Sequence, residues 1–289
     1  MAKGQEIKRR IKSIKSMLQV TKAMEMISSI KMRKAQQKAL GSKAYSFEAW
    51  KAIKKLARAK QIATNPLLKK QSKGKILAFV ISSDRGLAGS YNADIMRRVI
   101  KFVEENSKEN IEFVTMGLKI KKFIKKIGGN IVADFPLGLQ IRFTMSSPIA
   151  LLAMEGISSG KYKKFVSIHT HFGSATNKGA TELQILPVDI ERISTEISDQ
   201  EASSVEFKFE PTADEVVDSV IRQTIRAIVY QVILESEAAE HASRMIAMKN
   251  ASDAASDLKE DFEFTYNQLR QQSITSELAE ISAGSLAQQ

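Results

Sequence analysis

Apolar residues recur three and four positions apart through the last quarter of the chain. Val217, Ile221, Ile228 and Val232 (with Thr224 between them) are followed by Ala239, Ala242 and Ile246, then Leu258, Phe262 and Leu269, then Ile274, Leu278 and Ile281. That period is helical. From Thr212 to Ala283, 72 residues pass without a Gly or Pro, between Pro211 and Gly284. Thr212, Asp214 and Glu215 suit a helix start, because a hydroxyl and carboxylates satisfy free N–H groups and the helix dipole. Such a helix would reach about 100 Å, more than a domain of this chain could enclose. A partner helix, other subunits, or both must sheathe it.

The opening stretch has the same character. Gln5 to Leu40 lacks Gly and Pro, and Ile7, Ile11, Ile14, Met17, Leu18, Val20, Met24, Ile27 and Ile30 are expected to form one stripe. Their spacing falls below the roughly 3.5 residues of a regular coiled coil, so the seam should drift. After Gly41 the helical pattern resumes from Tyr45 to Ile62 and should end at Asn65, because the residue before Pro66 is pushed out of helix. The run from Leu68 to Lys75 is expected to be a basic, exposed linker.

Between these helices the period changes. Lys75–Ser82, Ile111–Met116, Asn130–Phe135, Phe165–His171 and Glu182–Val188 read as strands, and Ala93–Glu105, Leu118–Lys126 and Ser146–Ser159 as helices, with Gly128-Gly129 closing the second. This alternation predicts a small α/β domain with a largely parallel sheet. The expected organisation is residues 1–65 as the first helix and its continuation, 66–74 as linker and 75–190 as α/β domain. Residues 191–211 would be a return segment and 212–289 the last helix.

Charge sharpens this picture. The net charge of +12 is segregated: residues 1–75 hold 21 Lys/Arg against 3 Asp/Glu, and residues 211–289 hold 6 against 13. Attraction between the two segments would favour their pairing and guide register, although exposed pairs are individually weak. Cysteine is absent, which excludes disulfides and Cys-based metal sites. No run approaches eighteen apolar residues, so no membrane-spanning helix is expected, and the first residues lack the apolar segment of a cleaved leader.

Candidate chemistry is sparse. No GxxxxGK[ST] loop occurs. The turn Ser82-Ser83-Asp84-Arg85-Gly86-Leu87-Ala88-Gly89-Ser90 could hold an anion on its backbone amides or be an ordinary strand-to-helix turn, the commoner case. His169 and His171 share one strand face, which allows a metal pair, but no third ligand has helpful spacing and polar surface histidines are commoner. His241, beside Glu237 and Glu240, reads as a solvated helix residue. The basic first segment could face nucleic acid or acidic protein; few aromatics in residues 1–40 and a face already committed to packing favour protein. Met17, Met24, Met26 and Met32 suit either core filling or a sliding contact.

Val20-Thr21-Lys22-Ala23-Met24-Glu25-Met26-Ile27 with Lys31-Met32-Arg33-Lys34-Ala35-Gln36 resembles the N-terminal signature of the γ subunit of F-type ATP synthases. Ser243-Arg244-Met245-Ile246-Ala247-Met248-Lys249-Asn250-Ala251, Tyr266-Asn267 through Arg270-Gln271, and Ser273-Ile274-Thr275-Ser276-Glu277-Leu278 resemble its C-terminal signature, and Ser83–Gly89 its central turn. Ala88 and Ser90 stand where the family often has Cys and Gly. The cysteine-bearing insertion of plastid members is missing, so thiol control of that kind is not expected.

The resemblance implies a fold: a long antiparallel coiled coil of the N- and C-terminal helices, with a small Rossmann-like α/β domain inserted between them. It also implies a role, the rotor shaft that carries ion-driven rotation of a c-subunit ring to the catalytic β subunits, and the reverse during ATP hydrolysis. The shaft itself would have no catalytic residue, cofactor or metal. Its partners would be the α and β subunits, the ε subunit and the c ring, with no nucleic acid. A single copy would sit peripherally on the cytoplasmic face of a bacterial membrane, held there through the complex. By motif position, Lys22, Met24, Lys31 and Arg33, with Arg244, Arg270 and Gln271, would touch β. Tyr45, Phe209 and Glu210 would lie at the foot near the c ring and ε. The competing readings are a coiled-coil nucleic-acid-binding or scaffold protein, and an α/β enzyme with helical arms.

Overall fold

The structure, a computed structural model, describes residues 2–58, 65–138, 140–172, 179–188 and 212–286. It divides into two compact units, one formed by Met1–Ser29 with Arg244–Gln289 and the other by Ile30–Ser243. Two helices, α1 (Ala2–Arg58) and α5 (Ala213–Leu286), contribute to both. The predicted interruption at Gly41 is absent. The position where a Cβ would stand has nothing within 4 Å, so a glycine there costs some helix propensity but imposes no break. Gly284 likewise fails to end α5. At the other end of α5 the amide of Glu215 donates to Oγ1 of Thr212 over 3.4 Å, the expected capping contact.

The second unit holds a five-stranded sheet. Its strands are β1 (Lys75–Ile81), β2 (Ile111–Met116), β3 (Asn130–Phe135), β4 (Tyr162–Thr170) and β5 (Ala180–Leu186), in the order β3-β2-β1-β4-β5. All neighbours are parallel except β4 and β5. Three shorter helices, α2 (Tyr91–Asn106), α3 (Leu118–Lys126) and α4 (Ser146–Ser158), connect or follow strands. Ile76 to Ile81 and all of β2 are buried, which explains why their sequences read as continuous apolar runs rather than alternation.

The two sheet faces have separate cores. Ala78, Val80, Phe113 and Ile168 pack with Ile95, Val99 and Phe102 of α2 and Ile120 and Ile124 of α3. On the other face Leu77, Phe79, Val114 and Phe165 meet Ile149, Ala153 and Ile157 of α4, and Val217, Ile221, Ile225 and Val229 of α5. Burying each large side chain contributes about 1.5–3 kcal/mol. The predicted exposed linker is in fact tied down: Leu67 is buried in the second core, and Nε2 of Gln71 donates to the Ile157 carbonyl over 2.7 Å. Lys69, Lys70 and Lys73 remain exposed. Phe209, Glu210 and the return segment lie outside the described residues, as does the side chain of Tyr45.

An ionic knot closes the amino ends of the central strands. Glu112, 6% exposed, accepts from Oη of Tyr162 at 2.7 Å, Nζ of Lys161 at 3.0 Å and Nζ of Lys75 at 3.1 Å. Burial alone would push its carboxyl up, but the bonds from Tyr162, Lys161 and Lys75 prevail and hold it at about 2. Tyr162 reaches Glu112 by lying over Gly156, where a Cβ would come within 2.1 Å of the ring.

Candidate functional site

In the first unit α1 and α5 pair through small residues. Thr21, Ser28, Ser252 and Ala255 are buried, with Ile11 and Met248 the larger members of the same seam. Side chains this small let two backbones approach closely, and each hydroxyl then needs a partner. Oγ of Ser252 donates to Oγ1 of Thr21 over 2.8 Å, and Oγ of Ser28 donates to the Met24 carbonyl over 2.7 Å. Lys15 meets Glu263 at 3.0 Å and the Arg10 guanidinium lies 5.9 Å from the Phe262 ring centre. Partners of higher number on α1 thus meet partners of lower number on α5: the pair is antiparallel. The hydrogen bond from Lys15 holds the Glu263 carboxyl below its ordinary value.

The large apolar side chains are turned outward. Met17, Val20 and Ile27 are 57%, 56% and 53% exposed, and Met26 is exposed too. On α5 so are Leu258, Phe264, Ile274, Leu278 and Ile281. The single predicted stripe on α1 is therefore two. At about 100° per residue, Ile7, Ile11, Ile14, Leu18 and Thr21 define one face, and Met17, Val20, Met24 and Ile27 another about 120° away. Only the first is spent on α5. An apolar row of this extent left open to water marks an interaction site.

The residues singled out by motif fall unevenly. Lys22, Lys31, Arg33, Arg270 and Gln271 are exposed and Met24 is half-buried. Arg244 departs from its expected surface role: at 8% exposure it is buried. Its place on the inner side of α5, between the seam positions Met248 and Ser252 and the preceding turn, accounts for this.

The central turn is a clasp built from its own side chains. Oδ1 of Asp84 accepts from the Leu118 amide at 2.9 Å and Oγ of Ser82 from the Ile120 amide at 2.9 Å, so the first free N–H groups of α3 are already taken. Asn92 Nδ2 donates to Ser83 Oγ over 2.8 Å, and the Ser83 amide donates to Asn92 Oδ1 over 3.1 Å. Gly117, at φ +103°, is required here because a Cβ would stand 2.2 Å from the Ser82 carbonyl oxygen. The ordinary strand-to-helix turn accounts for these contacts.

The two histidines of β4 and its end belong to a polar cluster with α5. His169 is 2% exposed rather than superficial. A third polar group joins the pair from α5: Oε2 of Glu235 lies 2.6 Å from Nδ1 of His171 and 3.8 Å from Nε2 of His169. Gln231, one turn earlier, donates from Nε2 to Oε1 of Glu235 over 2.7 Å. Burial pushes the Glu235 carboxyl up, but His169, Gln231 and His171 outweigh it and bring it to about 2. Glu235 lies 64 residues from His171, and only the packing of α5 on the sheet brings them together. His241 is half-buried rather than fully solvated.

An antiparallel helix pair with an outward apolar row, joined in sequence to a doubly wound α/β unit, is the class of fold that the structure defines. The ATP synthase family model matches residues 3–287. The chain is 34% identical to the ATP synthase gamma chain of Pelotomaculum thermopropionicum over 98% of both sequences. It is 35% identical to that of Staphylococcus saprophyticus over 99% of both. The chain belongs to the ATP synthase gamma-chain family. Its fold recurs in a chain of the central stalk and c ring of the Tetrahymena thermophila mitochondrial ATP synthase, with a TM-score of 0.61 at 22% identity, covering 81% of this chain and 99% of that one. It recurs also in a chain of the Euglena gracilis mitochondrial ATP synthase, with a TM-score of 0.64 at 16% identity, covering 99% and 94%.

Proposed function

We propose that this chain is the rotating central shaft of an ATP synthase. It carries ion-driven rotation of a c-subunit ring to the catalytic β subunits, and the reverse during ATP hydrolysis. The observation that supports the reading best is the inverted economy of the helix pair, with small residues at the seam and large apolar ones outside. A shaft needs a thin, self-paired core and an outer surface that slides within a ring of α and β subunits. Lys22, Met24, Lys31, Arg33, Arg270 and Gln271 form the β-facing contacts, and Arg244 acts through the packing of the pair. Tyr45, Phe209 and Glu210 belong to the foot, near the c ring and the ε subunit. Coupling is mechanical: each orientation of the asymmetric surface favours a different β conformation, so the chain needs no catalytic residue of its own. No described helix is long and apolar enough to cross a membrane; the subunit is held peripherally, through the complex, on the cytoplasmic face of a bacterial membrane.

The absence of cysteine makes the test clean. Glu104→Cys on the exposed side of α2 gives a single attachment point for a bead. In a complex with immobilised α and β subunits, the bead should turn in one direction during ATP hydrolysis. A bead that stays fixed while ATP is consumed would refute the reading. Lys31→Glu with Arg33→Glu should weaken coupling while nucleotide binding by β is retained.

A further inference from the structure

We propose that His169, His171 and Glu235 form a binding site for a divalent transition-metal ion, with Zn²⁺ the fitting probe, that ties the carboxyl end of β4 to α5. The three donor atoms all lie within 4.8 Å of one another. Around tetrahedral zinc, donors at about 2.0–2.2 Å from the metal stand roughly 3.3 Å apart. The 3.8 Å gap from His169 and the 2.6 Å contact from His171 bracket that value. Exposed His171 has the freedom to make the adjustment.

The contacts around His169 hold its ring in place to ligate beside Glu235. Oγ of Ser167 donates to the Leu183 carbonyl over 3.4 Å and lies 3.2 Å from Nδ1 of His169. In the tautomer with its proton on Nδ1, His169 donates to Ser167 and turns the Nε2 lone pair toward Glu235, the form that a bound metal ion would select. A metal ion held there would replace the proton that otherwise joins the His169 ring to the Glu235 carboxylate. A hydroxyl fixing the tautomer of a ligating imidazole is also the usual outer-shell arrangement of metal sites. Two imidazoles and one carboxylate suit zinc and its neighbours rather than Mg²⁺ or Ca²⁺.

The location fits as well. Strand order reverses between β1 and β4, and the cluster lies at the carboxyl end of β4, where open α/β sheets bind ligands. A cleft of about 200 Å³, lined by Gln36, His171, Gln231 and Glu235 among others, opens beside it and leaves room for a water ligand. Oε1 of Gln231 is buried there with no hydrogen-bond partner among the described residues, an acceptor suited to such a water.

The full-length chain, stripped with a chelator and dialysed, would be titrated with ZnCl₂ by calorimetry, with its melting temperature followed in parallel. Binding of one Zn²⁺ per chain and a raised melting temperature are expected, with no comparable effect of Mg²⁺. His171→Gln, an exposed substitution that leaves the fold intact by circular dichroism, should weaken Zn²⁺ at least ten-fold, as should Glu235→Gln. Ser167→Ala should weaken it about ten- to a hundred-fold by releasing the tautomer. X-ray absorption of the Zn²⁺-loaded chain should show two imidazole nitrogens. No binding, equal response to Mg²⁺, unchanged affinity in His171→Gln, or a spectrum without imidazole would each overturn the proposal.

Discussion

The outward row on α1 invites a decisive substitution: Met17→Gln, Val20→Gln and Ile27→Gln together. Each residue is somewhat more than half exposed in the chain by itself. Full burial of such a side chain contributes about 1.5–3 kcal/mol, so the half still open to water is worth roughly 1 kcal/mol when a partner covers it. Three residues then give about 3 kcal/mol, or a loss of about a hundred-fold in affinity for a ring of α and β subunits. The free chain should barely notice. Gln is at least as good a helix former as Val or Ile, and each surface change should stay within about 0.5 kcal/mol. The assay pairs urea unfolding of the free variant with its equilibrium binding to preformed α and β subunits. Undiminished binding would show that the row is not covered in the complex. Loss of more than about 2 kcal/mol of stability in the free chain would show that it is core. Either result would refute the reasoning.

The remaining expectations concern single positions. Glu112→Gln should cost about 2–3 kcal/mol at pH 7, read by hydrogen exchange of β1 and β2 amides. Because the folded carboxyl is depressed from 4.5 to about 2, its contribution is complete above pH 4.5 and is lost as pH falls toward 2. About 1.4 kcal/mol of the difference should be gone by pH 3.5, and a difference independent of pH would refute the charge assignment. Gly156→Ala should destabilise the α/β unit by about 1–3 kcal/mol, because the new methyl meets the Tyr162 ring; an unchanged urea midpoint would exclude that packing. Met24→Lys should lower ATP-driven ion pumping more than hydrolysis, since an ammonium held by acidic β side chains makes one rotor angle stickier than the others. Equal loss of both, or of neither, counts against it.

The α/β unit was the most legible part of the chain. Each strand has its own apolar run, and every helix between them has a period of its own, so local pattern and tertiary burial agree. The long helices were legible as helices but not as surfaces. Met17, Val20 and Ile27 have the same composition as a core row, and periodicity cannot say whether a row is covered by the same chain or by another. The seam was hidden for the opposite reason: Thr21, Ser28 and Ser252 are polar by type and are buried only because small hydroxyls can satisfy one another or a backbone carbonyl. Gly41 misled because a single glycine lowers helix propensity without forbidding a helix. Glu235 was out of reach, since nothing in the spacing of His169 and His171 points to a carboxylate 64 residues away on α5.

The hydrogen bond between Thr21 and Ser252 joins residues 231 positions apart. A ribosome adding about 5–20 residues per second needs roughly 10–50 s to get from one to the other. For that interval the nascent α1 has neither its antiparallel partner nor any ring, and both of its apolar faces stand open to water. The α/β unit, complete except for α5, can begin to form meanwhile, which leaves α1 as the segment in need of a chaperone's cover. Substitutions on the outer row should therefore change the yield of folded chain during synthesis in the direction opposite to their effect on assembly.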